Sequence, residues 1–568
     1  MEKIYVVTLH TYEDLPGFYD DMESNGFRIN LKRPISRNTH YWMTDAQALQ
    51  LAEDSRVLAV ELRPEDRGIF PERLVNNTPY NMNGTFMKAG GTVNSTDFQW
   101  GHLHTVGDSA QRGKNSFGDG GSNTKTANID VFNDGKHVDV VICDDPVSTD
   151  CKEWVSPTTN QSRFVSYEWY NNLNSIVTSI DDDGTTLPTG SYPYKTQATN
   201  VDFHGNHVTG TVAGQHYGWA REANIYHLDV LSGSATPVMA IFDYLRAFHK
   251  NKAVNPTTGF RNPTVTNHSW GYGANYTNDY PTGFAISDIT TIVYNGVTYN
   301  SGNPGPSGWT MAGISADFGI SQWKRKFPAR VAALDADVAD AIADGVIVIG
   351  AASNENFHIV LPTDPGYNNT VTGTFGGPRL FNQGSSPGAA PGVICVGAID
   401  NDQDQRRASF SNYGPRIDVW APGYAIVSAW ADPSVITGDY AGVGIADAKY
   451  GGNNYYYPIN GTSMASPQVA GCAACLATNK IRFHNTDVMN LIQTQGLSNE
   501  MTFNSGTGTF ADDTCDKGSP NVTLHLENPR VTSGYCGNDV VGARPDMTKA
   551  SQSFPRRRTL FHLSLIHI

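Results

Sequence analysis

Asn460-Gly461-Thr462-Ser463-Met464-Ala465-Ser466-Pro467 is the stretch whose reading decides the fold. A serine flanked by glycine and small residues opens an apolar helix here. The helix runs on through Val469-Ala470-Gly471-Cys472-Ala473-Ala474-Cys475-Leu476-Ala477, and its small residues let it cross a sheet closely. Such a setting presents a hydroxyl with backbone N–H groups beside it. A serine hydroxyl is a weak nucleophile until a neighbouring base takes its proton. The base is usually a histidine held in one tautomer by a buried carboxylate, and the oxyanion that forms needs fixed donors. Each part has a candidate upstream.

The base candidate is His204, in Asp202-Phe203-His204-Gly205-Asn206-His207-Val208-Thr209-Gly210-Thr211-Val212-Ala213-Gly214. Small residues there let a helix start tightly behind the first histidine. The competing reading, a zinc-binding pair of His204 and His207, lacks a Cys or Glu ligand pattern nearby. The acid candidate follows Val138-Asp139-Val140-Val141-Ile142-Cys143, whose near-continuous apolarity suits a parallel strand buried on both faces. Asp144 and Asp145 come at its C-terminal end, where open α/β sheets place their sites. Asp144 directly follows the apolar run and is preferred. Asp145 stays open, because strand ends are legible only to within a few residues. Without the other motifs, an acidic turn before Pro146 is the default. The oxyanion-donor candidate is Asn354, closing the buried strand Gly345-Val346-Ile347-Val348-Ile349-Gly350-Ala351-Ala352-Ser353. An isolated asparagine after a strand is more often a turn former.

Taken together and in this order, the runs resemble subtilisin-like serine proteases (subtilases, peptidase S8). The Ser463 run resembles the family's nucleophile motif. The His204 run resembles His-Gly-Thr-His-Val-Ala-Gly, with Asn206 and Thr209 as departures. Asp144-Asp145-Pro146 stands where the family has Asp before Thr/Ser-Gly. Ser353 replaces the glycine of Ala-Ala-Gly-Asn. The order Asp, His, Ser separates this arrangement from the chymotrypsin and α/β-hydrolase orders. The resemblance covers about Lys136 to Gly496. It implies a three-layer α/β fold with a mainly parallel central sheet. It also implies a serine endopeptidase working through an acyl-enzyme, with Asp144, His204 and Ser463 as triad and Asn354 as oxyanion donor. Val265-Thr266-Asn267-His268-Ser269-Trp270-Gly271 resembles the strand that pairs with substrate backbone, which makes Ser269, Trp270 and Gly271 the expected substrate-binding residues. The chemistry needs no cofactor. Structural calcium is common in the family, but no ligand set maps onto this chain. Asp181-Asp182-Asp183-Gly184 reads more simply as a solvated acidic turn. Two other functions share these features: a virion-associated structural protein with little turnover, and an esterase.

The chain has 568 residues, so more than one domain is expected. Its apolar content of 39% supports a real core, and a net charge of −15 argues against nucleic acid as a partner. Residues 1–70 read in the order βαββαβ, with Thr44-Asp45-Ala46-Gln47 as a capping box opening a helix at Ala46. That order is ferredoxin-like. It resembles the inhibitory prodomain of subtilases, which implies an intramolecular inhibitor; an accessory docking domain is the alternative. Residues 71–135, rich in Gly, Asn, Ser and Thr, suit a linker open to processing. Trp100-Gly101-His102-Leu103-His104 interrupts them as packing or surface residues. The catalytic domain is expected over 136–545, with an insertion at 273–326 placed to form a rim or lid. Cys143, Cys395, Cys472 and Cys475 are expected as thiols, and Cys515 and Cys536 as a pair in an oxidising setting. Residues 546–568 form a tail. Its end, Leu563-Ser564-Leu565-Ile566-His567-Ile568, is the translation of a transposon end used in sequencing libraries, and is expected to be an artefact.

Met1-Glu2-Lys3 leads directly into a strand. No signal-peptide h-region or apolar spanning run is seen. Synthesis in the cytoplasm, without membrane association, is the expectation. The N-terminal domain type and the missing leader are similar to subtilisin-like proteins of marine bacteriophages, which implies virion association.

Overall fold

The buried, β-branched runs assemble a central sheet in the computed structural model. The structure describes residues 2–67, 69–73, 88–89, 98–106, 133–177, 180–181, 187–232, 236–275, 285–321, 326–400, 406–447, 450–452, 454–478, 480, 483–498, 501, 519–520 and 522–525. Across the sheet the strands run Asn224–Asp229, Asp139–Asp144, Thr264–His268, Ile347–Ala351, Ile394–Ile399, Val419–Pro422, then the short Val522–Thr523 and Leu497–Ser498. All neighbours are parallel except the last pair. Alternating side chains serve two cores, as a doubly covered sheet requires. Val140 and Ile142 face the helices His204–Ala213 and Thr462–Leu476. Val141 and Cys143 face the helices Ile241–Asn251 and Ala332–Ala343. The chain lays down Asp139–Asp144, steps to one side, then returns to the other. Strand order therefore reverses beside Asp144, and the C-terminal ends there form the crevice where such sheets carry their sites.

The N-terminal domain is an antiparallel sheet ordered Val57–Leu62, Lys3–Leu9, Asn38–Met43, Arg28–Lys32, with the helices Leu15–Ser24 and Asp45–Leu51. This is the ferredoxin-like arrangement. Thr44 caps the second helix reciprocally with Gln47, and the helix starts at Asp45, one residue earlier than expected. A fifth strand, Ile180–Asp181, comes from the larger part of the chain and pairs with Arg28–Lys32. The remainder of the Asp181–Gly184 run lies outside the described residues.

The domain docks on the helices Ile241–Asn251 and Ala332–Ala343. Arg33 is 2% exposed and donates to Asp243 at 2.6 Å and to Asp337 at 3.1 Å. Ser36 and Asn38 also donate to Asp337. Glu61 accepts from the Ala333 N–H at 3.0 Å, placing a carboxylate at a helix N-terminus.

Three further points refine the expected layout. Residues 98–106, inside the expected linker, carry the helix Trp100–Val106. Trp100 belongs to the core that the helix Thr462–Leu476 packs into, and Gln99 accepts from Gln468 at 2.8 Å. The insertion is half of a larger unit: Ile289–Tyr294 and Val297–Tyr299 join Thr370–Gly373 and Gly376–Leu380 in a four-stranded antiparallel sheet. Cys143, Cys151, Cys395, Cys472 and Cys475 are buried thiols, while Cys515, Cys536 and the tail 546–568 lie outside the described residues. Among the described residues no helix is long and apolar enough to cross a membrane.

Candidate active site

Asp144 is the last residue of its strand, and His204 is the first of its helix. Gly205 makes the approach possible: a β-carbon there would lie 2.0 Å from the Asp145 carbonyl oxygen. The His204 Nδ1 sits 2.5 Å from Asp144 Oδ1 and 4.0 Å from Asp145 Oδ2. Of the two candidate acids, Asp144 therefore makes the hydrogen bond. Its Oδ1 also accepts the Asp145 N–H at 2.8 Å. His204 and Asp144 are fully buried, and His204 Nε2 has no hydrogen-bond partner among the described residues. With Nδ1 pinned as the donor, Nε2 carries the free lone pair.

Asp144, Asp145 and His204 bring three ligand-type atoms within 4.8 Å of one another. A metal would need the Nδ1 lone pair, whereas a 2.5 Å contact to a carboxylate oxygen holds a proton there. The cluster fits an oriented imidazole better than a metal centre.

Ser463 lies in the first turn of the helix Thr462–Leu476, where backbone N–H groups have no acceptor within the helix. Its hydroxyl donates to the Ser269 carbonyl at 2.9 Å. Ser269 Oγ in turn donates to the Ser463 carbonyl at 2.9 Å and takes a hydrogen bond from Asn267 at 2.9 Å. Ser269 marks a break: Thr264–His268 belongs to the central sheet, and Trp270–Asn275 leaves it for a separate small sheet. The expected single substrate strand is thus two strands, joined beside Ser463. Trp270 is fully buried, and Gly271 bridges to Pro387.

Asn354 follows the strand Ile347–Ala351. Its Oδ1 accepts from the Thr462 N–H and the Thr462 hydroxyl, both at 2.9 Å. Those two donors fix the amide orientation and turn Nδ2 the other way. That buried Nδ2 has no partner among the described residues, as an oxyanion donor awaiting charge requires. Asn412 holds the loop behind it, donating to the Ala352 carbonyl at 2.8 Å and accepting the Phe357 N–H at 2.8 Å.

Supporting residues account for two motif departures. Asn206 accepts the Ser148 N–H at 2.7 Å, tying the histidine helix to the loop after the acid strand. Thr209 donates to the Gly205 carbonyl at 2.7 Å. His207 Nε2 donates to the Ile426 and Tyr457 carbonyls, and burial pushes its pKa down to about 3. Burial does the same to His268, also to about 3. Both are neutral when folded, and neither costs stability above the ordinary histidine pKa. As pH falls from about 6.5 towards 3, the unfolded chain binds protons that the folded chain refuses. Stability is then expected to drop by up to about 1.4 kcal/mol per pH unit for each histidine. Denaturant unfolding of wild type and His207→Gln across that range checks this: the variant should show the shallower acid limb.

Sequence reasoning did not see the pairing of Ile69–Arg73. This segment runs antiparallel along Trp270–Asn275, with Trp270 opposite Arg73, Gly271 opposite Glu72 and Ala274 opposite Ile69. The other edge of that strand pairs with Lys326–Pro328. No motif marks residues 69–73, because strand addition uses main-chain groups and makes little demand on side chains.

The chain is similar to Alkaline protease 1 of Aspergillus flavus, 27% identical over 274 residues, which is 48% of this chain and 42% of that protein. It is similar to Subtilisin-like proteinase Mp1 of Magnaporthiopsis poae, 26% identical over 335 residues, covering 57% of this chain and 58% of that protein. The match thus spans about half the length of these relatives. Among solved structures, fervidolysin from Fervidobacterium pennivorans, a keratinolytic enzyme related to subtilisin, is 16% identical at a TM-score of 0.48, covering 92% of this chain and 60% of that one. A cold-adapted subtilisin-like serine proteinase is 21% identical at a TM-score of 0.39, covering 73% of this chain and 97% of that one. The Peptidase S8 model matches residues 135–509, well over half of the sequence, and the chain belongs to the subtilase family.

Proposed function

We propose that the protein is a serine endopeptidase that hydrolyses proteins or peptides through an acyl-enzyme. The observation that carries this reading is the buried His204–Asp144 contact with the opposite ring nitrogen bare, together with the bare amide of Asn354, whose oxygen is tied to Thr462 next to Ser463. His204 Nε2 takes the Ser463 proton once the hydroxyl leaves the Ser269 carbonyl. Ser463 Oγ attacks the peptide carbonyl, and its π electrons move onto oxygen. Asn354 Nδ2 and the Ser463 N–H hold that oxyanion. The imidazolium, stabilised by Asp144, protonates the leaving amine. Water then attacks the ester by the same route. These steps draw only on groups of this chain.

The N-terminal domain acts as an intramolecular inhibitor in this reading. Support comes from Ile69–Arg73, which occupies the main-chain edge an extended substrate needs. Residues 98–106 pack into the catalytic core, so self-cleavage falls within 74–97.

A fluorophosphonate probe, followed by peptide mapping, tests the reading. Labelling at Ser463 together with cleavage of an unfolded protein substrate is the expected result. No label sinks the enzyme, and label without peptide cleavage points to an esterase. Asn354→Ala is expected to lower kcat by about 10²–10³-fold, or about 2.7–4 kcal/mol, with KM little changed. Steady-state kinetics on a peptide anilide measure that split.

A further inference from the structure

We infer that Arg379, on the inserted sheet, is a remote anchor for the substrate. It binds the main chain seven residues before the attacked one and favours an acidic side chain there. The inference rests on the protease reading above, with the arm Ile69–Arg73 marking the substrate's path.

The register sets the count. The arm runs antiparallel along Trp270–Asn275, with Trp270 opposite Arg73. Ser269 comes one residue before Trp270, and its carbonyl takes the Ser463 hydroxyl. A substrate in the arm's register therefore has its attacked residue one step beyond the place of Arg73. The place of Arg67 is six residues before that of Arg73, and so seven before the attacked residue. It lies outside the run that pairs with Trp270–Asn275, where the chain leaves the N-terminal domain for the groove.

Arg379 meets the chain at that place. It lies on Gly376–Leu380, the outer strand of the four-stranded sheet, and its Nη1 donates to the Arg67 carbonyl at 3.1 Å. Every substrate offers a main-chain carbonyl, so the contact passes from arm to substrate without a sequence demand. The arginine is fixed from behind. Its Nη2 donates to the Phe375 carbonyl at 3.5 Å, and the Phe375 ring packs on Phe327 with centroids 5.8 Å apart. Phe327 is buried in Lys326–Pro328, which pairs with the far edge of Trp270–Asn275. The inserted sheet and the groove thus share one frame. The charge of Arg379 is unspent. Its Nε is buried with no hydrogen-bond partner among the described residues. Burial and the Arg67 charge both push its pKa down, and no described carboxylate offsets them. Arg67 is itself paired with Glu61 at 3.0 Å. The arm is therefore held here by its main chain and opposed by its side chain. A glutamate in the same place removes the repulsion and gives the guanidinium fork a carboxylate to bind.

The test uses the full chain after self-processing and three peptide p-nitroanilides built on its own sequence. One carries residues 71–74, and two carry residues 66–74 with either arginine or glutamate at position 67. Rates are taken per Ser463 titrated with fluorophosphonate. Wild type is expected to cleave the long glutamate peptide with a kcat/KM about 10-fold above the short one. It should favour glutamate over arginine by about 5-fold. Arg379→Ala should bring the three peptides level, and Arg379→Glu should make the arginine peptide the better of the long pair. Wild type that treats the two long peptides alike overturns the inference, whether or not either variant folds. So does an unchanged glutamate preference in Arg379→Glu that still labels at Ser463. Labelling without cleavage of any of the three overturns the register on which the inference stands. Failure of labelling together with failure of every peptide overturns the protease reading itself, and the anchor with it.

Discussion

Ser463→Ala is expected to lower kcat by about 10⁶-fold while leaving the fold intact. The side chain is fully buried, and its hydroxyl donates to the Ser269 carbonyl at 2.9 Å. Alanine adds no volume, and a lost hydrogen bond costs about 1–3 kcal/mol even when a buried partner is left unsatisfied, so the structural cost is small beside the catalytic one. The catalytic cost is large, because His204 and Asp144 have nothing to activate without the hydroxyl. Groups that act as one unit fail together, which is why the loss approaches that of removing the whole triad. Asn354 and the backbone donors still bind the oxyanion, so about 10³–10⁴-fold over water remains. Mass spectrometry of the expressed chain checks this: wild type should be cut within 74–97, and Ser463→Ala should remain one piece. An alanine variant that is still cut at the wild-type bond, in a protease-deficient host, assigns the nucleophile elsewhere.

Arg33→Ala is expected to weaken docking of the N-terminal domain by about 3–5 kcal/mol. The guanidinium lies buried between Asp243 and Asp337, and removing it leaves two carboxylates without their shared cation. The loss is the cost of that stranded charge more than the worth of the pair itself. Burial already holds the Asp243 carboxyl up to about 6, with Arg33 pulling it down. Without Arg33 it rises further. A carboxyl whose docked pKa lies above its free value takes up a proton on docking, so acidification favours the docked state. The Arg33→Ala defect should therefore be largest above the variant's raised Asp243 pKa and shrink as pH falls towards 6, where the wild-type carboxyl begins to protonate as well. Hydrogen exchange across Ala332–Ala343, with Ser463→Ala as background to prevent cutting, reads the opening directly. Equal protection in the two chains at pH 7.5 would show that Arg33 does not hold the interface.

The parts of the site visible in the sequence are those whose chemistry forces a local pattern. Ser463 needs small neighbours to open its helix, His204 needs Gly205 to pass the Asp145 carbonyl, and Asn354 needs a strand to end beneath it. Each leaves a run of glycine, alanine or serine that survives in one dimension. Asp144 was legible as the preferred acid but Asp145 could not be set aside, because the choice depends on where the strand ends, and the strand ends one residue beyond its apolar run. The second half of the inserted sheet was invisible for another reason. Thr370–Gly373 and Gly376–Leu380 carry little apolar alternation, and only the pairing of Thr370–Gly373 with Ile289–Tyr294, far away in the chain, joins their hairpin to the insertion. Arg33 was equally silent: a lone arginine announces nothing until two helices from elsewhere bring Asp243 and Asp337 to it.

The N-terminal domain is held at several separate places: the arm on Trp270–Asn275, the Arg33 cluster and the shared edge with Ile180–Asp181. Cutting the chain within 74–97 leaves every one of these contacts in place. What changes is the order of the reaction. While the chain is whole, the arm meets its groove at an effective concentration on the order of millimolar, whatever the dilution. Once cut, rebinding becomes bimolecular and follows the actual concentration of the severed domain. On the proposed inhibitor reading, scission alone would then start a clock and not deliver activity. A crowded compartment would keep the cut molecules silent, and dispersal would wake them.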